Sequence, residues 1–278
     1  MKVKKFIQLA GGFTIILILL TACGGGIETN FSVNNDGDGF PFNEPSFFAY
    51  ETLTIELPIV NQKSISLEGV RGDIEIEGQV DANSVIVTAE KRVGSDSLED
   101  AEEHMNELEI LATDQIDEFI IQTLQPGNTQ GRKYIVDYHI ILPIDLEIEV
   151  TFTNGYISVQ DVENSVMVDA VNGNVFLSNV FGSAVVDLTN GSIDSTMVLP
   201  LDGEIRMSTD NGNIDLSIPT STSAIFAASV INGSIRTYNL EFDAAVQTTK
   251  LVAGTLGIGE GVIDLGSING HISVVGFD

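Results

Sequence analysis

Val168-Asp169-Ala170-Val171-Asn172-Gly173-Asn174-Val175-Phe176-Leu177 is one copy of a pattern that returns through the second half of the chain. The dipeptide recurs at Asn154-Gly155, Asn172-Gly173, Asn190-Gly191, Asn211-Gly212, Asn232-Gly233 and Asn269-Gly270, in steps of 18, 18, 21, 21 and 37 residues. Three residues after each asparagine stands Ile157, Val175, Ile193, Ile214, Ile235 or Ile272. Four before it stands Val150, Val168, Val186, Met207, Ala228 or Leu265. Polar residues alternate with these, among them Asp169, Asp187 and Ser208 before the turn and Ser158, Asp194, Asp215, Arg236 and Ser273 after it. Period-two alternation on both sides of a turn predicts strands with one apolar face. Glycine is expected because the turn calls for positive φ, and asparagine because it tolerates that region and bonds local backbone. Gly254 divides the long last step and reads as a degenerate member of the series.

Two architectures satisfy the pattern. A two-residue Asn-Gly hairpin would set Ala170 opposite Val175 and give an antiparallel meander. Alternatively, each unit is one coil of a β-solenoid, with asparagines stacked at a corner and Ile or Val in the lumen. In that case Val175 is flanked by Ile157 and Ile193 in parallel register, and Ile193, Ile214 and Ile235 stack in successive coils. Seven coils at about 4.8 Å each would form a rod roughly 30 Å long.

Upstream, strand alternation runs through Leu53, Ile55, Leu57, Ile65, Leu67, Ile74, Ile76, Val85 and Val87. A short helix interrupts it: Ser97 with Asp100 approximates a capping box, and Leu98, Ala101 and Met105 share one stripe. Strands resume at Leu108-Ile110-Ala112, Phe119-Ile120-Ile121 and from Tyr134 to Leu142. Gly72-Asp73-Ile74-Glu75-Ile76, the acidic helix, the Tyr134–Pro143 strand and the Asn-Gly-x-Ile/Val units together resemble the bacterial putative-adhesin family, over roughly residues 50–278. That resemblance implies an all-β, parallel, right-handed β-helix-like solenoid, often lipid-anchored, with no catalytic residues to carry over.

The chain opens with Lys2, Lys4 and Lys5, an apolar run through Ile15–Leu20, and Leu20-Thr21-Ala22-Cys23. This is the layout of a secretory signal, and its end resembles the bacterial lipobox, after which Cys23 would carry lipid. Cys23 is the only cysteine, so it closes no internal disulfide, and Gly24-Gly25-Gly26 gives it a flexible exit. The expected organisation is therefore a signal peptide at 1–22, a lipidated tether at 23–50, an N-terminal β region with one helix at 51–149, and the repeat solenoid at 150–278, continuous with it.

The formal charge is −28, and loss of three signal-segment lysines brings it near −31. Such a surface repels nucleic acid and anionic lipid headgroups. Asn34, Asp36, Asp38 and Gly39 imitate half of a calcium-binding loop, but Pro45 stands where the bidentate glutamate belongs, so an ordinary turn is expected. Asp169 with Asp187, and Asp194 with Asp215, hold matching repeat positions. Stacked, they are the candidates for weak Ca²⁺ binding; no other cofactor is expected. His104 falls in the helix, His139 in a strand, and His271 in the variable position after Asn-Gly, which reads as exposed turn. Phe226 reads as core. HExxH, GxSxG, P-loop and CxxC motifs do not occur. The expected function is a non-enzymatic, membrane-tethered extracytoplasmic scaffold or adhesin-like module whose partner is an envelope protein or glycan. A glycan-binding or glycan-processing β-helix is the alternative.

Overall fold

The computed structural model describes residues 45–278, together with two three-residue strands, Ile7–Leu9 and Phe13–Ile15, at one sheet edge. Cys23 and the Asn34–Gly39 turn lie outside the described residues. The alternating patterns fold into strands, and these assemble into two sheets. In sheet A, strands Ser64–Arg71, Glu147–Asn154, Val166–Asn172, Ala184–Asn190 and Glu204–Asn211 lie side by side, all parallel. In sheet B their continuations past the corner, Ile74–Gln79, Ile157–Val162, Val175–Val180, Ile193–Met197 and Ile214–Pro219, do the same. Each Asn-Gly is therefore the corner where one coil passes from sheet A to sheet B. Val175 is paired with Ile157 on one side and Ile193 on the other, which is the solenoid register and excludes the meander.

The core is the space between the sheets. Val150, Val168, Val186, Met207 and Leu265 line it from sheet A, and Ile157, Val175, Ile193, Ile214 and Ile272 from sheet B, all at 0–1% exposure. Outward neighbours alternate to solvent. This is why a period-two sequence suffices to specify a flattened tube.

The stacking order departs from the chain order at the end. Strands Gly261–Asn269 and Ile272–Phe277 sit between the 204–219 coil and the 224–238 coil. Ile214 therefore pairs with Ile272, and Ile272 with Ile235, so the expected direct contact of Ile214 with Ile235 does not occur. Gly254 is not a corner either. It lies in Leu251–Leu256, which runs antiparallel to Ala224–Asn232 and forms a hairpin with Asp243–Gln247. The seventh corner is instead Arg71-Gly72, where Arg71 takes the register position of Asn154.

Further strands cover both ends; Lys133–Pro143 and Glu118–Leu124 run parallel to the first coil, and the strands beyond them, like those at the far end, are antiparallel. At the first coil, Phe47–Pro58, Ser84–Ser95 and Lys133–Pro143 extend sheet B, and Glu109–Asp114 with Glu118–Leu124 extends sheet A. The strand from Phe47 begins inside the stretch read as tether. The helix Leu98–Glu103 packs on this cap through buried Ala101, and the Ser97 side chain accepts from the Asp100 amide at its N-terminus. Asp100 takes Arg132 across both carboxylate oxygens at 2.7 Å, which pins the helix to the strand at 133. That guanidinium, with the Ser95 hydroxyl, holds the Asp100 carboxyl well below the usual carboxylate range. Tyr134, buried and donating to Glu107, has its phenol pushed up to about 12.

Candidate functional site

The asparagines form one continuous side-chain ladder. Asn172 Nδ2 donates to Asn154 Oδ1, Asn190 to Asn172, Asn211 to Asn190, Asn269 to Asn211 and Asn232 to Asn269, all at 2.8–2.9 Å. Beside it, each corner glycine amide donates to the asparagine carbonyl one coil further on, at 2.9–3.1 Å for Gly72, Gly155, Gly173, Gly191, Gly212 and Gly270. The glycine requirement has a different main cause from the one read in the sequence. Positive φ holds at Gly155, Gly173, Gly191 and Gly233 but not at Gly212 or Gly270. All six share a steric limit: a Cβ would stand 1.5–1.8 Å from the glycine carbonyl oxygen of the neighbouring coil.

The residue after each glycine is not a free turn position. Asp73 Oδ1 accepts from the Tyr156 amide, Asn174 Oδ1 from Ser192, Ser192 Oγ from Asn213, Asn213 Oδ1 from His271, and His271 Nδ1 from Ser234, at 2.9–3.2 Å. The tolerance seen in the sequence is tolerance among short acceptors, and a neutral His271 ring nitrogen qualifies. Tyr156 alone departs from the row. Its ring accepts nothing from Asn174 and is 39% exposed.

Tyr156 stands at the lip of a concavity of about 270 Å³ on the outer face of sheet B, with Glu75, Glu77, His139, Ser158 and Gln160. Register builds it: Glu75 lies between His139 and Ser158, and Glu77 beside Gln160. Among the described residues none of these five side chains has an intramolecular partner, so their donors and acceptors are unspent. A larger cavity of about 370 Å³ lies at the opposite turns, near Gln62, Lys63, Asn83 and Asp145. There Gln62 is consumed by the fold: its Oε1 accepts from the Val60 and Asn61 amides, and its Nε2 donates to Asp114 and the Gln115 carbonyl. The side chains of Lys63, Asn83, Asp145 and Glu147 around it are likewise without a partner among the described residues; what sets the smaller concavity apart is the exposed aromatic ring of Tyr156.

The aspartates stack as pairs. Asp169 is in register with Asp187 on sheet A, and Asp194 with Asp215 on sheet B. Ser208 Oγ donates to Asp187 at 2.6 Å, which holds one carboxylate of its pair. Partial burial, then repulsion from Asp194, raises the Asp215 carboxyl. Among the described residues no three His, Cys, Asp or Glu side chains converge as a metal centre would require. His104 Nδ1 is 2.8 Å from the Asp100 carbonyl, a helix-end contact. Phe226 is core, edge-to-face with Phe242 at 5.1 Å.

Sequence reading missed the acceptor row and the groove. The row was legible as Asp, Asn, Ser, Asn and His, all with an acceptor near the backbone, at one repeat position. The groove was not, because His139 reaches Glu75 only through a strand that returns from the cap.

No helix among the described residues is long and apolar enough to cross a membrane. No curated protein matches the chain. Solved structures similar to the chain include two putative adhesion proteins. A putative cell adhesion protein from Clostridium sporogenes is 13% identical, over 82% of this chain and 100% of that one, with a TM-score of 0.45. A putative adhesin from Bacteroides fragilis is 11% identical, over 82% and 97%, with a TM-score of 0.36. The family model described as Toastrack DUF4097 matches residues 28–275. With nearly its whole length matched and its parallel coils stacked corner on corner, the chain belongs to the Toastrack DUF4097 family.

Proposed function

We propose that this chain is a lipid-anchored, extracytoplasmic, non-enzymatic adhesin-like module that binds an envelope or surface ligand through the Tyr156 groove. The observation that carries this is the break in the acceptor row: the one corner that gives up its short acceptor carries an aromatic ring instead. That ring borders unspent carboxylate, amide, imidazole and hydroxyl groups. A flat apolar ring face beside many hydrogen-bonding groups suits a saccharide, whose C–H face packs on the ring while its hydroxyls are bonded at the edges. Binding is favoured over cleavage. Glu75 and Glu77 are two residues apart on one strand face, about 6.6 Å along it, and so point the same way rather than flank a glycosidic bond. Anchoring rests on the signal-like segment 1–22 and Cys23. Right-handed winding of the coils follows the general handedness of parallel β crossovers.

Full-length protein on a glycan array, with Tyr156→Ala alongside, tests the groove. Loss of the bound glycans in the variant, at unchanged melting temperature, supports it; binding untouched by Tyr156→Ala refutes it. Metabolic palmitate labelling tests the anchor separately, since label persisting in Cys23→Ser would exclude lipidation there.

A further inference from the structure

The two long edges of the tube differ in chemistry. One carries the asparagine ladder. At the other, each parallel strand of sheet A begins after a turn, and the register brings those turns into one row. Phe119, Ile65, Ile148, Val166, Ala184, Ile205 and Ile263 are successive register partners along that edge. Three to five residues before five of them stand Ile116, Val60, Phe181, Leu201 and Ile258. Val80 joins the same edge from sheet B, because Gln79 pairs with Pro143 at the turn into Glu147–Asn154. Among the described residues, Ile116, Ile258, Val60, Leu201 and Val80 are the five most exposed large apolar side chains, at 66–85%. Scattered exposed apolar residues are ordinary, but the five leading ones on one edge form a pattern that a period-two coil does not require.

Charge on this edge is one-sided. Asp81, Asp117, Asp145, Glu163, Asp202 and Glu260 are exposed in these turns, with Lys63 as the counter-charge. Val80, Ile116 and Leu201 are each followed directly by aspartate. The two coils without an apolar tip, those entered at Ile148 and Val166, border the 370 Å³ cavity, with Asp145, Glu147 and Asn164 in its wall. The row therefore runs from apolar tips, through an acidic recess, to apolar tips again.

We infer that this edge docks a partner protein through a basic amphipathic helix. Six strand spacings of about 4.8 Å separate the coil of Ile116 from that of Ile258, about 29 Å in all, the length of about 20 helical residues. A helix returns its apolar face every ~5.4 Å, close to the coil spacing, whereas an extended chain returns one face only every ~6.8 Å. Apolar side chains of the helix meet the tips at both ends of the row, and its Lys or Arg residues meet the carboxylates between and beside them. Those carboxylates repel an anionic lipid surface. The net charge of −28 draws in a cationic partner and opposes a second copy of this chain. This inference is independent of the groove, since Tyr156 stands at the opposite, Asn-Gly edge.

The test uses the full-length chain carrying Cys23→Ser, so that no lipid contributes, and a synthetic Leu/Lys peptide of about 20 residues with its leucines on one helical face. A second peptide has the same composition with the leucines scattered around the helix. One variant combines Val60→Ser, Ile116→Ser, Leu201→Ser and Ile258→Ser; another combines Asp117→Asn, Asp145→Asn, Asp202→Asn and Glu260→Gln. All eight positions are exposed, so both variants should melt close to the parent. In calorimetric titrations, docking predicts that each variant binds the amphipathic peptide at least about tenfold more weakly than the parent. The scattered peptide should not distinguish the serine variant from the parent. Equal affinity of parent and serine variant for the amphipathic peptide, or no binding to the parent, refutes the docking edge. Phosphatidylcholine vesicles provide the remaining arm. If the parent sediments with them, the serine variant does not, and the peptide binds both alike, the edge is a lipid-docking surface and the partner helix is overturned.

Discussion

Gly191→Ala tests the close stacking of the corners. A Cβ there would lie 1.6 Å from the Gly173 carbonyl oxygen, and φ is +137°. Relief requires the two coils to part by more than about an ångström at the corner, given ordinary contact distances. That parts the Gly173 amide from the Asn190 carbonyl and Asn190 Nδ2 from Asn172 Oδ1, both now at 2.9 Å. Two hydrogen bonds at about 1 kcal/mol each, with about 1–3 kcal/mol of backbone strain, give a destabilisation of about 3–5 kcal/mol. Gly212→Ala meets a similar clash, 1.7 Å from the Gly191 oxygen, without left-handed φ, so about 2 kcal/mol is expected from its lost bonds alone. Gly266→Ala is the reference, because nothing lies within 4 Å of its Cβ position. It should stay within about 0.5 kcal/mol of the parent. Urea unfolding of the three variants reads the series directly. Equal midpoints for Gly191→Ala and Gly266→Ala would refute corner-to-corner contact as the reason for glycine.

Ser195 is fully buried between Leu177 and Leu216, and its hydroxyl has no hydrogen-bond partner among the described residues. Ser195→Ala should therefore raise stability by about 1 kcal/mol, and a lower melting temperature would show that the hydroxyl is satisfied. Asp215 has a raised folded-state pKa, from burial first and Asp194 second. Its ionised form thus subtracts stability at neutral pH, and this is recovered as pH falls through the folded value towards the unfolded one of about 3.9. Asp215→Asn should accordingly melt higher than the parent at pH 7 and lose that advantage in acid; an advantage constant with pH would exclude the electrostatic cause. Asp100 carries the opposite sign, so Asp100→Asn should lower stability above the usual carboxylate range and cost progressively less below it. For the proposed weak Ca²⁺ binding, millimolar Ca²⁺ should raise the melting temperature more than NaCl of equal ionic strength, with Asp187→Asn reducing the excess. Equal shifts from the two salts would leave only a diffuse acidic surface.

Glu75, His139 and Tyr156 show how little of the groove could be read in advance. Glu75 and His139 come from two strands and Tyr156 from a corner, and their adjacency depends on where the cap returns to the first coil. Nothing local in any of the three segments encodes that return. The aspartate pairs are the opposite case, because equal repeat positions become register neighbours once the coils stack in order.

The sequence by itself determined the coil. Apolar alternation chooses the lumen face, asparagine supplies a ladder that is both donor and acceptor, and glycine permits contact between neighbouring corners. All of these are short-range properties repeated every 18 or 21 residues. Only the tertiary structure decided the order of the coils. Because every corner from Asn154 onward carries the same Asn-Gly-x-Ile/Val signature, Asn232 and Asn269 are equally good neighbours for Asn211, and pairing rules alone cannot rank them. The ends break the tie. The 243–256 hairpin and Lys250 cover the outer side of the 224–238 coil and make it terminal, which leaves the last strand pair only the interior position.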